Sequence, residues 1–110
     1  MVRTLRTTVA SGLLVLASSG AWAADAGELA RGKELFSKIQ PACAVCHTLQ
    51  AAGAEGQVGP VLDELKPNAD RVLRALNAGI GVMPSYADKL SDKDMRALAS
   101  FVAKASGAAP

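Results

Sequence analysis

The feature that most constrains this chain is a segment of five residues, Cys-Ala-Val-Cys-His, which contains both cysteines and the only histidine of the 110 residues. In a helical turn, side chains three and four positions apart lie on the same side. The thiols of Cys43 and Cys46 and the imidazole of His47 can therefore face one ligand together. This pattern is typical of covalent haem attachment, in which two thioethers hold the porphyrin edge and the histidine binds the iron. The sequence predicts one haem c, attached to Cys43 and Cys46, with His47 as an axial iron ligand.

Three other uses of this segment are compatible with the residues. A structural zinc site normally takes four Cys or His ligands, and this chain supplies three. A thioredoxin-like redox pair would need a βαβ context, which the sequence does not indicate. A plain disulfide between the two cysteines would leave His47 without a role. Haem attachment uses all three residues, so it is the interpretation that the sequence favours.

Residues 1–23 are predicted to be a cleaved signal peptide. Arg3 and Arg6 precede an apolar stretch, and Ala-Trp-Ala at residues 21–23 has the small-x-small pattern that a signal peptidase accepts. We therefore expect export to the periplasm and a single domain over residues 24–110. The alternative is an uncleaved anchor, because the uncharged stretch approaches the length needed to span a bilayer. Interspersed Ser, Thr and Gly argue against it, and no stable membrane anchor is expected.

The predicted domain is small, neutral and poor in aromatic residues. Without residues 1–23, 87 of the 110 residues remain, with 10 Lys or Arg and 10 Asp or Glu. Nucleic-acid binding usually needs a basic stripe, so no nucleic-acid partner is expected. The aromatic residues left are Phe36, Tyr86 and Phe101. A domain of this size buries a smaller fraction of its surface than a larger one and commonly relies on a metal, a disulfide or a cofactor, which predicts a bulky apolar group inside this one.

The remaining sequence favours an all-α fold of three to four helices with loops wrapped around one haem. Helical spacing and capping residues predict helices from about residue 25 to 39, from 69 to 78 and from 91 to 105. No stretch shows the alternating apolar pattern of a strand. The loops between the helices are rich in Gly and Pro and carry apolar residues that need a surface to pack on, which are Val58, Leu62, Val82 and Met83.

The attachment segment, its place after a first helix and the loops that follow resemble the class I c-type cytochromes across the whole predicted domain. The resemblance implies that a methionine on a later loop is the second axial ligand. Met83 lies in the loop Gly-Ile-Gly-Val-Met-Pro-Ser-Tyr, whereas Met95 lies on the apolar stripe of the last helix and is expected in the core. We therefore expect His47 and Met83 to be the axial pair. The alternative is a packed loop methionine beside an iron site that is open or holds water.

The same resemblance implies supporting roles for other residues. The segment Gly-Pro-Val-Leu at 59–62 is similar to the family's Gly-Pro-x-Leu, in which the proline carbonyl accepts the other N–H of the iron-bound histidine and the leucine packs on the haem. These roles fall to Pro60 and Leu62, and an ordinary turn is the alternative. Gly32 in the first helix is similar to the family's glycine at the point where the first and last helices cross closely. Tyr86 either bonds a haem propionate or covers the ring edge.

The predicted function is single-electron transfer rather than catalysis. A soft thioether ligand favours ferrous iron, and two occupied axial positions suit a carrier that cycles between Fe(II) and Fe(III). The expected partners are a dehydrogenase as donor and an oxidase or another cytochrome as acceptor. One alternative is a haem subunit held in an oxidoreductase complex, since residues 58–67 and 81–86 resemble the cytochrome subunit of sulfite dehydrogenases. The alternative of another class is a haem-based ligand sensor, which needs an open iron site.

Overall fold

The computed structural model of the chain describes residues 12–14 and 24–109, so the predicted signal peptide lies almost entirely outside the described residues. The described part contains five α-helices and one short antiparallel sheet. The helices are α1 (Ala26–Lys38), α2 (Cys43–Cys46), α3 (Leu62–Leu65), α4 (Ala69–Ala78) and α5 (Asp92–Ser106), and the strands are β1 (Thr48–Leu49) and β2 (Ala54–Glu55). The prediction of an all-α fold is confirmed: α1, α4 and α5 are the three predicted helices, and α2 and α3 are single turns.

The three long helices begin at the predicted capping residues. The side-chain oxygens of Asp25, Asn68 and Ser91 each accept a hydrogen bond from the backbone N–H three residues later, at 2.7, 2.9 and 3.1 Å. Such bonds satisfy donors that have no partner inside the helix. Helix α4 ends at Gly79, whose φ of 69° lies in a region that few residues other than glycine adopt. Local sequence signals therefore set these boundaries.

The predicted close crossing of the first and last helices is present. Gly32 is buried where α1 meets α5, and a Cβ atom there would collide with the carbonyl of Ala97 and lie 2.6 Å from Cβ of Phe101. One turn along α1, the ring of Phe36 packs edge to face on Phe101, with centroids 5.8 Å apart. The missing side chain thus lets the helices approach, and the aromatic pair fills the space beside the crossing.

Polar contacts at the rim of this crossing set the register of the two helices. The guanidinium of Arg31 on α1 donates to both carboxylate oxygens of Asp94 on α5, at 3.1 and 2.9 Å. This bond holds the pKa of Asp94 below its usual range. Deeper in the interface, the hydroxyl of buried Ser100 lies 3.5 Å from the carboxylate of Glu28. Because the Arg31 pair is largely exposed, its main contribution is alignment rather than stability.

The sheet was not predicted, because two residues per strand are too few to show an alternating pattern. A 3-10 turn over Gln50–Ala52 joins the strands and ends at Gly53, with φ of 62°. The hairpin folds back over α2, where the backbone of Gly56 passes so close that a Cβ atom would lie 2.6 Å from the carbonyl carbon of Cys46. This contact covers one side of the attachment segment.

The core lies between α1, α4 and α5 and extends under the loops. Met95 is 2% exposed within it, in agreement with its predicted core position. None of the helices in residues 12–14 and 24–109 is long and apolar enough to cross a membrane. The largest fully buried side chains are Phe36, Leu49, Leu76, Met95 and Leu98.

Candidate functional site

Helix α2 and the residue that follows it carry the two thiols and the imidazole of the attachment segment. The N–H of His47 donates to the carbonyl of Cys43 at 2.9 Å, and the N–H of Gly59 donates to the carbonyl of Cys46 at 2.7 Å. The two cysteines are not joined by a disulfide. Burial raises the pKa of Cys43 to about 11, so its thiol is neutral at physiological pH. The backbone that carries these side chains is thus fixed by one hydrogen bond within the turn and by one from the segment at Gly59.

The imidazole of His47 is oriented by the segment that follows the hairpin. Its Nδ1 lies 2.8 Å from the carbonyl oxygen of Pro60, and this carbonyl can only accept, so Nδ1 carries the donated hydrogen. The other nitrogen, Nε2, is then left with a lone pair that can bind a metal. A Cβ atom at Gly59 would lie 2.5 Å from Cε1 of His47. The missing side chain of Gly59 therefore lets the imidazole pack close against this backbone, a role that the sequence interpretation did not assign.

Met83 lies on a tight loop between α4 and α5. Ile80 and Met83 exchange two backbone hydrogen bonds, at 3.1 and 2.9 Å, around a turn in which Gly81 has φ of 56°. At the start of the loop, a Cβ atom on Gly79 would lie 2.7 Å from the carbonyl oxygen of Met83. Two glycines with positive φ therefore make the turn possible, and the paired backbone fixes where the Met83 side chain begins.

Tyr86 closes the same loop and uses its hydroxyl within the protein. Its backbone N–H donates to the carbonyl of Leu76 at 2.7 Å, and its O–H donates to the carbonyl of Pro41 at 2.6 Å. The residue is 4% exposed, and burial raises the pKa of Tyr86 to about 12, which keeps the hydroxyl protonated. Of the two roles offered from the sequence, donation to a propionate is disfavoured because the hydrogen is already given to Pro41.

A cavity of about 350 Å³ lies between these elements, and five of the six predicted site residues line it, namely Cys43, His47, Pro60, Leu62 and Met83. The sixth, Cys46, lines an adjoining cavity of about 60 Å³ that shares Cys43, His47 and Met83. The remaining walls are almost wholly apolar and come from α1, α3, α4, α5 and the loops. These wall residues are Phe36, Val58, Gly59, Leu65, Pro67, Arg71, Val72, Ala75, Leu76, Ile80, Val82, Leu98 and Val102.

The walls and donors suit a flat apolar metal cofactor. Val58 and Val82 border the cavity and yet are 67% and 88% exposed, so an apolar group bound there would cover side chains that otherwise contact water. Among the described residues that line the cavity, Arg71 is the one with a charged side chain. The part of the chain that the structure describes contains no cluster of three His, Cys, Asp or Glu side chains of the kind a zinc ion would need. The residues present therefore fit a haem.

Comparison with known sequences decides the family. The sequence model of the family described as "Cytochrome C oxidase, cbb3-type, subunit III" matches residues 27–102. This range covers the attachment segment, the segment that contains Pro60, the loop that contains Met83 and all but the end of the last helix. The chain is a class I c-type cytochrome. The predicted fold class and the prediction of one covalent haem c are confirmed by this membership, and the chain is an electron-transfer protein.

Individual relatives agree with this assignment. The cytochrome is 36% identical over 90 residues to the cbb3-type cytochrome c oxidase subunit CcoP of Azospirillum sp. (strain B510), a match that covers 73% of this chain but spans only 29% of the length of that relative. It is 29% identical to the chloroplastic cytochrome c6 of Chlamydomonas reinhardtii, over 94% of this chain and 72% of that protein. Among solved structures, the c-type cytochrome SorU from Sinorhizobium meliloti is 46% identical, with a TM-score of 0.72, and the match covers 76% of this chain and 97% of that one.

Proposed function

We propose that this cytochrome is a periplasmic carrier of single electrons in which His47 and Met83 are the axial ligands of the haem iron. The observation that carries the proposal is that both side chains line one apolar cavity whose edge is formed by the Cys43 turn. Cys43 and Cys46 would form the two thioethers. When bound, the haem supplies an iron that alternates between Fe(II) and Fe(III).

The protein's own contribution is to orient the ligands and exclude water. The carbonyl of Pro60 accepts the Nδ1 hydrogen of His47, which directs Nε2 to the iron and raises the basicity of the imidazole. The thioether of Met83 is a soft neutral donor that favours the ferrous state. Leu62 contributes an apolar wall. We also propose that Arg71, the one charged wall residue, pairs with a haem carboxylate, since carboxylates need a cation or water at the edge of an apolar site.

Paired methionine variants test the axial ligand. In Met83→Leu the reduction potential of the haem should fall, because the iron loses the donor that favours Fe(II), and the reduced protein should bind carbon monoxide rapidly. Met95→Leu is the matched control, since Met95 is buried in α5 and does not line the cavity. A Met83→Leu protein with the absorption spectrum and potential of the wild type would refute the assignment of Met83.

The donor and acceptor are proposed to be a dehydrogenase and an oxidase or another cytochrome. A haem subunit held in an oxidoreductase complex, with sulfite dehydrogenase as one example, is the second candidate. The matching family description names an oxidase subunit, and the CcoP relative is more than three times as long as the matched segment. Size-exclusion chromatography of a periplasmic extract distinguishes the two, because persistent co-elution with a larger enzyme would exclude a free carrier.

The proposed export depends on removal of residues 1–23 as a signal peptide. The N-terminal sequence of the purified protein should therefore begin at Ala24.

A ligand sensor is the candidate of another class, and one feature of the cavity argues against it. A sensor requires an open iron position, whereas Met83 lines the same cavity as His47 and is held in a tight loop. Slow carbon monoxide binding to the reduced wild type, compared with Met83→Leu, is the result expected for a carrier. Equally fast binding to both proteins would favour the sensor.

A further inference from the structure

The hydroxyl of Tyr86 joins two segments that are 45 residues apart in the chain. It donates to the carbonyl of Pro41 at 2.6 Å, and Tyr86 is 4% exposed. Pro41 stands two residues before Cys43, and Tyr86 stands three residues after Met83. The bond therefore connects the loop that carries the proposed second axial ligand with the stretch that leads into the attachment turn.

The other anchors of this loop are local. Among the described residues, the remaining hydrogen bonds of residues 79–86 stay within the loop, run to the end of α4, or reach the turn at 87–90 that follows. The N–H of Tyr86 bonds to Leu76, and the hydroxyl of Ser85 donates to the carbonyl of Asn77 at 2.6 Å. These bonds tie the loop to α4. The hydrogen bond from the Tyr86 hydroxyl to Pro41 connects this loop to the chain just before the two cysteines.

We propose that Tyr86 is a positioning residue that holds the Met83 loop against the attachment segment and so keeps the thioether on the iron. This inference rests on the proposed axial role of Met83. In this proposal the loop moves away when an external ligand replaces the Met83 thioether on the iron. If that movement breaks the Tyr86–Pro41 bond, the free energy of the bond opposes every displacement of Met83. Its removal should then raise the apparent affinity of the iron for competing ligands.

The Tyr86→Phe variant tests this directly. Phenylalanine keeps the ring and its packing and removes only the hydroxyl. The loss of one net hydrogen bond changes an opening equilibrium by roughly 3- to 10-fold. We therefore expect the oxidised Tyr86→Phe holoprotein to bind imidazole roughly 3- to 10-fold more tightly than the wild type. The reduced variant should bind carbon monoxide faster by a similar factor.

Ser100→Ala is the matched control for a general loss of stability. Ser100 is 7% exposed, bonds to Glu28 between α1 and α5, and does not line the cavity. Both variants lose one buried hydroxyl, and urea unfolding of both measures the loss of global stability. Positioning predicts that only Tyr86→Phe gains affinity for imidazole. A similar gain in both variants would show that the effect is general loosening and would overturn the proposal.

A second measurement avoids any dependence on the folding of the Phe variant. The chain contains one tyrosine, so global incorporation of 3-fluorotyrosine modifies Tyr86 alone. Fluorine makes the phenol more acidic and a stronger donor, which should weaken imidazole binding. Unchanged imidazole affinity of the fluorinated holoprotein would by itself refute the positioning role.

The Met83→Leu protein separates this inference from the function on which it rests. If Met83→Leu binds imidazole no more tightly than the wild type, Met83 is not the ligand and the proposed axial pair is wrong. If Met83→Leu binds imidazole tightly while Tyr86→Phe does not differ from the wild type, the axial pair stands. Only the role of Tyr86 is then wrong.

Discussion

Gly59→Ala is the substitution that most directly tests how the protein backbone controls the iron ligand. The added Cβ would lie 2.5 Å from Cε1 of His47, whereas ordinary contact begins at 3.4 Å, so a gap of about 0.9 Å must open. If the imidazole moves by that distance, its 2.8 Å hydrogen bond to Pro60 is weakened or broken. If the backbone moves instead, the 2.7 Å bond from Gly59 to Cys46 is lost.

The expected loss of stability is the sum of the cost of overpacking and the cost of one lost hydrogen bond. Overpacking a tight site costs about 1–3 kcal/mol, and the hydrogen bond contributes about 0.5–1.5 kcal/mol. The variant should therefore lose about 2–4 kcal/mol, which lowers the Tm of a domain of this size by about 8 °C or more.

If the imidazole is the group that moves, the reduction potential of Gly59→Ala should change in a defined direction. The bond to Pro60 makes the imidazole a stronger donor, which favours ferric iron, so its loss should raise the potential. If the whole hydrogen-bond free energy depended on the oxidation state, the rise would be about 20–60 mV for one electron, which is an upper limit. Thermal unfolding followed by circular dichroism and a spectroelectrochemical titration of the holoprotein measure the two effects.

Gly27→Ala in α1 is the control for the exchange of Gly for Ala. A Cβ at Gly27 would meet only a side-chain oxygen of Asp25, at 3.4 Å. That variant should gain up to about 1 kcal/mol from helix propensity and keep the wild-type potential. A Gly59→Ala protein with unchanged Tm and potential would show that the contact with His47 is not tight and that Gly59 does not control the position of the imidazole.

Two further substitutions test the helix crossing and the cavity wall. Gly32→Ala should lower the free energy of unfolding by about 2 kcal/mol, because the added Cβ meets the rigid backbone of Ala97 and the gain in helix propensity is only about 1 kcal/mol. Urea unfolding measures this loss. Stability equal to the wild type would mean that α1 and α5 can separate to admit the methyl group. Arg71→Gln should lower the haem potential, because a cation near the iron disfavours Fe(III). Arg74→Gln makes the same charge change on α4 but lies outside the cavity wall, so equal shifts in both variants would disprove a specific contact of Arg71.

The sequence predicted the features that depend on neighbouring residues. The capping bonds of Asp25, Asn68 and Ser91 join residues three apart, and their signals are therefore local. The resemblance of the Gly-Pro-Val-Leu segment to a family pattern suggested Pro60 as the partner of His47, and the structure places the two 2.8 Å apart. The role of Pro60 is therefore implied by the family pattern, because no local property of residues 59–62 specifies a contact with His47.

Other features depend on contacts between distant segments and could not be derived in this way. The donation of Tyr86 to Pro41 requires knowing how the two loops meet, which no local pattern encodes. The tight approach of Gly59 to His47 is also a tertiary contact, although a glycine before the proline gave a weak signal. The hairpin of β1 and β2 has strands of two residues each, and its pairing is set by the turn at Gly53. Local physics thus predicts the helices, and the arrangement of the loops decides the site.

The crossing of α1 and α5 also has a topological consequence. Gly32 and Ala97 lie 65 positions apart, so this contact closes a loop that contains the attachment turn, the hairpin, α3, α4 and the Met83 loop. The entropic cost of such a closure grows only with the logarithm of its length. Residues can therefore be inserted or deleted inside the loop at small cost while the crossing is kept. The same pair of terminal helices could then enclose loops of different length around the same cofactor, so the loops can change in evolution while the crossing of α1 and α5 is kept.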